Sequence, residues 1–274
     1  MSKIIIENDE RPDARWDRTT RMLSRIEWQM DIRPLPGYGL TAFYKGRHVI
    51  GRDRRIVEGV YLGTFAREAI VVSERCGTLA KKYNELVIRL GLFPWTLDEF
   101  SIIQSVHTYV RALLPGGEEK TRAIIRASLP AGNVDQKIDL TVFVHGGAGV
   151  CRHRALLAGY FLEKLISDRL LIGTCSVDRN ETDEGGHAWA RFVSDQTGLI
   201  LVIDAGLDEC GDIFKVDQRW NYRRPEDTRP IPAVDRNPKP EPKKPKPLID
   251  NIDRAVAAAG SLWAVWHFGL SRLF

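Results

Sequence analysis

The stretch GGAGVCRHRALLAGYFLEKL, residues 146 to 165, restricts the possible folds of this chain more than any other segment. Glycines at 146, 147 and 149 let the backbone turn sharply, and Ala155, Ala158, Leu162 and Leu165 then recur at helical spacing. The pattern predicts a helix that buries this stripe and has Cys151 at its N-terminus. At such a position the unpaired backbone N–H groups and the helix dipole favour the thiolate, which makes the sulfur nucleophilic near neutral pH. The same donors suit the oxyanion of a tetrahedral intermediate, and Gly149 would let a substrate carbonyl approach.

A helix that buries a stripe needs partners, and the flanking sequence offers them. Leu79, Tyr83, Leu86, Val87 and Leu90 predict a helix over about 78–90, with Gly91 as its C-terminal cap. Thr96-Leu97-Asp98-Glu99 has the capping-box pattern, and the apolar stripe from Phe100 to Leu114 predicts a second helix, stopped by Pro115-Gly116-Gly117. A third is expected from Glu118 to Leu129. Residues 37 to 75 read as short antiparallel strands, and Lys137 to His145 (KIDLTVFVH) as an extended run leading into the glycine turn. His187 to Val193 alternate as a strand does, and Leu199 to Ile203 form an apolar run suited to a central strand. Joined by a turn over 194–198, these two strands would bring His187 and Asp204 to the same end of a hairpin.

A cysteine nucleophile needs a proton partner, and that partner needs a group to orient it. His187, after Gly185-Gly186, and Asp204, at the end of the next strand, fit these two roles, with Asp208 as the fallback for the second. In their order GVCRHRALL, GHAW and LVIDAG resemble the core of the transglutaminase-like superfamily of papain-like thiol enzymes, over roughly residues 96 to 210. The resemblance implies an α+β fold in which the cysteine helix packs on an antiparallel sheet, with Cys151 as nucleophile, His187 as general acid/base and Asp204 as its orienter. It also implies that Trp189 packs beside the histidine, and Trp189 and Arg152 join Gly149 as expected substrate-binding residues. Members cleave peptides, cross-link proteins or deamidate glutamine, each through attack on an amide carbonyl. No paired CxxC motif like that of the superfamily's N-glycanases and no acidic cluster like the calcium loops of animal transglutaminases is present, which disfavours those two branches. Peptide-bond cleavage is the leading expectation, ahead of deamidation or cross-linking, without cofactor or metal.

Other readings compete for the same residues. A zinc site from His145, Cys151, His153 and His187 is disfavoured, because Cys151 and His153, two apart on a helix, point in different directions. Arg152, His153 and Arg154 then read as a partly exposed basic turn. Cys76, Cys175 and Cys210 read as small apolar residues, and His107 as a hydrogen-bonded core histidine. Gln136, Asn133 and His145 are alternatives for a second oxyanion donor. A binding module that keeps the fold without catalysis is the rival from another class.

Composition bounds the setting. With 43% apolar residues in a chain of 274, a core is affordable without disulfides. Forty Lys and Arg against 36 Asp and Glu leave a net charge of +4, which does not imply nucleic acid. The expected partner is a protein or peptide substrate. The organisation expected is a β-rich N-terminal subdomain over 1–76, a catalytic domain over 77–223, a Pro-rich linker over 224–247 (PKPEPKKPKP) and an apolar segment over 248–274. Trp263 and Trp266 suit that last segment to a membrane surface or a protein partner. The N-terminus lacks the apolar run of a Sec signal, so the chain is expected in the cytoplasm, attached to membrane through its C-terminus or exported by another route.

Overall fold

The computed structural model describes residues 15–16, 30–63, 68–91, 97–129, 137–182, 185–216 and 220–227. The chain forms two compact units, Met1–Pro225 and Glu226–Phe274. The apolar segment over 248–274 and the Pro-rich stretch from 228 onward lie outside the described residues. Arg224, expected to open the linker, belongs instead to the first unit, where it is buried. No helix among the described residues is long and apolar enough to cross a membrane.

The first unit is mixed α+β. Its largest sheet is antiparallel and runs β1 (Arg15–Trp16), β8 (Gly173–Thr182), β9 (Gly185–Ser194), β10 (Ile200–Asp204), β11 (Glu209–Asp212). A second, three-stranded sheet pairs β2 (Met30–Leu35), β3 (Gly39–Tyr44) and β4 (Arg47–His48). The third joins β5 (Val60–Leu62) and β6 (Ala69–Val71) to β7 (Lys137–Asp139), the last by a parallel pairing that ties the N-terminal strands to the body of the unit.

Five helices complete the described residues: α1 (Thr78–Arg89), α2 (Glu99–Leu113), α3 (Glu118–Ser128), α4 (Leu140–Gly146) and α5 (Cys151–Ser167). Thr96 lies outside the described residues; the cap of α2 is Asp98, whose carboxylate accepts from Ser101 N at 2.9 Å. The extended reading of 137–145 is corrected beyond Asp139. The Asp139 carboxylate accepts from Thr141 N at 2.9 Å, starting a helix where the β-branched run alone suggested a strand. Gly147 then ends α4 in the left-handed conformation, with φ 60°.

Helix α5 is buried almost all round, from Ala155 to Leu162 without a break. Ala188, Ala190 and Phe192 of β9 and Leu201 and Ile203 of β10 share its core with α1 and α2. Strand alternation sends His187 and Trp189 to the opposite face of the sheet, where Trp189, Val202, Ile213 and Tyr222 form a separate apolar cluster.

Candidate active site

The glycine turn delivers Cys151 as the first residue of α5. Val150 precedes it without a side-chain oxygen, so the N-terminal N–H groups have no side-chain cap. The His153 imidazole reaches back, and its Nδ1 accepts from Val150 N at 3.2 Å. Cys151, Val150, Arg152 and Glu68 border a cleft of about 340 Å³ whose opposite wall is Glu118, Thr121, Arg122 and Ile125 of α3.

The hairpin of β9 and β10 pairs Ile203 with Ala190, which puts Asp204 one step diagonally from His187. His187 Nε2 donates to Asp204 Oδ2 at 2.5 Å. The other ring nitrogen, Nδ1, is not used by Asp204, and Cys151 lies close enough to His187 for the ring to act on its thiol. Asp204 is 1% exposed, and its second oxygen, Oδ1, accepts from Gly206 N at 2.8 Å and Leu207 N at 3.1 Å. Gly206 leaves little room at this point: a Cβ there would crowd Asp204 Oδ1 at 3.0 Å and come into contact with His187 Cε1 at 3.4 Å and Cys151 Cα at 3.6 Å. The three predicted residues thus converge on one point.

Electrostatics distinguish Cys151 from the other buried thiols. Burial raises Cys175 well above its ordinary value and pushes Cys210 to about 12. Burial pushes Cys151 the same way, but the hydrogen bond and positive charge of His187, with help from Arg152, reverse the sign and leave it below the ordinary thiol value. For His187, burial works against the cation and is outweighed by Asp204 and Cys151, which raise the ring to about 9. Burial likewise penalises the Asp204 carboxylate, yet His187, Tyr222 and the Leu207 N–H hold it below the usual range. Lowering at the thiol and raising at the ring both favour the thiolate–imidazolium form over the neutral pair, with the Asp204 carboxylate beside it.

Several expectations need correction. Arg152 and His153 do not form an exposed basic turn: Arg152 is buried and donates through Nε (2.9 Å) and Nη2 to Glu68 Oε1, and His153 is 0% exposed, its Nε2 3.5 Å from that same oxygen. Burial and the two flanking arginines keep His153 neutral. Arg152 nevertheless borders the cleft. Trp189 is 0% exposed, with its ring centroid 6.2 Å from that of His187, so it packs behind the histidine and presents no surface to a substrate. Gly149 is buried behind the turn, where a Cβ would sit 2.8 Å from His153 Cβ, and the cleft wall is made by Val150 and Arg152 instead.

Among the remaining candidates, Asp208 is ion-paired with Arg111 and leaves the orienting position to Asp204. His107 is a buried core histidine whose Nε2 lies 3.6 Å from Asp208 Oδ1, and burial lowers its pKa. His145 is exposed and meets Thr78 Oγ1 at 3.3 Å, while Asn133 and Gln136 lie outside the described residues. Cys76 is exposed rather than packed, because it sits in the turn before α1. Sequence reasoning missed Glu68, Trp220 and Tyr222; the aromatic pair in RWNYRRP was the available signal for the last two. No protein-family profile, curated protein or solved structure matches this chain.

Proposed function

We propose that this protein is a cysteine-dependent amide hydrolase or acyl transferase with a papain-like, transglutaminase-like core, acting on peptide or glutamine side-chain amides. The observation that carries the reading is the convergence of Cys151 on the hydrogen-bonded pair His187–Asp204, with Cys151 lining a cleft at a helix N-terminus. The Cys151 thiolate attacks the amide carbonyl carbon, forming the S–C bond and a tetrahedral oxyanion, and the free N–H groups at the start of α5 are the donors for that charge. His187 gives its Nδ1 proton to the departing nitrogen as the C–N bond breaks, leaving a thioester on Cys151 and a neutral imidazole. A water molecule or an amine then loses a proton to His187 and attacks the thioester, which restores the thiolate and the imidazolium. Asp204 holds the ring in the tautomer that both steps need.

Peptide-bond cleavage is the preferred outcome. Incubation of the full chain with a glutamine-containing protein substrate and a primary amine, followed by mass spectrometry, separates the products. Backbone fragments support cleavage. A gain of about one dalton at glutamine indicates deamidation, an amine adduct indicates transfer, and unchanged substrate with no Cys151 adduct contradicts acyl-enzyme chemistry.

A further inference from the structure

Beyond β11, Trp220, Tyr222 and Arg224 lie on the face of the sheet opposite α5, and their contacts include His187, Asp204, Asn180 and Asp178. Tyr222 is 2% exposed, and its hydroxyl donates to Asp204 Oδ2 at 2.8 Å, the same oxygen that receives the His187 proton. Trp220 lays its ring against His187 with centroids 4.9 Å apart. Its Nε1 donates to Asn180 Oδ1, and Asn180 stands directly opposite His187 in the pairing of β8 and β9. Asn180 Nδ2 in turn donates to Asn221 O at 2.7 Å, so side chain and backbone of this segment are both fixed at the level of the histidine.

The end of the segment is anchored by charge. Arg224 donates to both carboxylate oxygens of Asp178, at 2.7 and 2.6 Å, to both of Asp53, at 3.0 and 2.9 Å, and to Ser176 Oγ at 2.7 Å. Bidentate guanidinium–carboxylate pairs fix orientation as well as position. A packing role alone would be met by phenylalanine at 222; the buried hydroxyl aimed at Oδ2 is what packing does not require.

The geometry points to residues 220–224 as a built-in strap that positions the acid–base pair, with Tyr222 as the positioning residue for Asp204, Trp220 as the backing of the His187 ring and Arg224 as the anchor. This rests on the acyl-transfer reading of Cys151, His187 and Asp204. With Oδ1 taken by two backbone donors and Oδ2 by Tyr222 and His187, the carboxylate has no free rotation, and the imidazolium is held beside the sulfur. Without the phenol the carboxylate loses a donor and can swing, the imidazolium is held less firmly at the sulfur, and Cys151 binds its proton more tightly.

The test is the iodoacetamide labelling rate of Cys151 in the full chain, resolved from Cys76 by peptide mass spectrometry, as a function of pH. Tyr222→Phe should slow labelling at pH 6.5 by about tenfold and move the acid limb of the profile upward, whereas in an Asp204→Asn background the same change should cost less than about twofold, because contacts in one network are not additive. Equal losses in both backgrounds, or no loss in the natural chain, would overturn the strap. Should Asp204→Asn alone leave labelling unaltered, the triad reading fails and the strap with it; should Asp204→Asn slow labelling while Tyr222→Phe does not, the strap alone fails. Near-UV circular dichroism checks that each variant folds, and Trp220→Phe, which removes the bond to Asn180 but keeps a ring against His187, takes over if Tyr222→Phe does not.

Discussion

Cys151→Ala is expected to abolish thioester formation and every product that depends on it, lowering kcat/KM by about 10⁴-fold or more, since no other group replaces a covalent nucleophile. Oxyanion donors and cleft would remain, so any residual rate reports transition-state binding without covalent chemistry. The fold should survive. Cys151 is only half-buried at the first position of α5, and alanine is a good helix former. Intact-mass analysis would show no acyl adduct, and the melting temperature would stay near that of the natural chain. Product formation at the natural rate by the alanine variant would mean that the chemistry lies elsewhere.

His187→Ala is expected to have the next largest effect, and its sign follows from the balance at the sulfur. Burial, the largest single influence on Cys151, raises its pKa, and the His187 hydrogen bond and charge are what reverse it. Without the imidazolium, burial prevails and the thiol passes above its ordinary value, as Cys210 already does at about 12. Labelling of Cys151 at pH 6.5 should then fall by about 10²-fold, and turnover by a further factor, because the leaving nitrogen also loses its proton donor, a role worth about 10²–10⁴. Asp204 would lose its cation too and rise toward the ordinary carboxylate range. Comparison of labelling with turnover separates the two contributions; an unchanged labelling rate would show that His187 does not activate the sulfur.

How far the sequence discloses this arrangement depends on the distance over which the information acts. The helix from Cys151 and the hairpin carrying His187 and Asp204 follow from local periodicity and turn residues, and the register of β9 and β10 bears out the expectation that both side chains lie at one end. Asp139 shows where such reading stops: KIDLTVFVH has the composition of a strand, and a single capping carboxylate makes most of it a helix. Glu68 and Arg152 are beyond it altogether, since an ion pair between residues 84 apart leaves no periodic trace in either segment. The sequence reading starts a linker at residue 224, whereas the structure turns Trp220, Tyr222 and Arg224 onto the sheet. Trp189 packs beside His187 as the resemblance implies, but alternation along β9 carries no sign that Trp220 and Tyr222 cover that face.

The most direct measurement of the central claim is the pH dependence of Cys151 itself, with labelling rate and turnover followed on the same natural chain. Because the folded-state pKa of Cys151 is depressed and that of His187 is raised to about 9, the thiolate–imidazolium pair is favoured and its alkaline limit lies near 9. Labelling should already be fast at pH 6 to 7, where an ordinary thiol of pKa about 8.5 is mostly protonated, and should persist on the alkaline side. Turnover should share the acid limb but decline as pH rises through about 9, where His187 gives up the proton the leaving group needs. A labelling curve at Cys151 that climbs only through the range of a free thiol, with turnover following it and no alkaline decline, would contradict the thiolate–imidazolium pair on which the account rests.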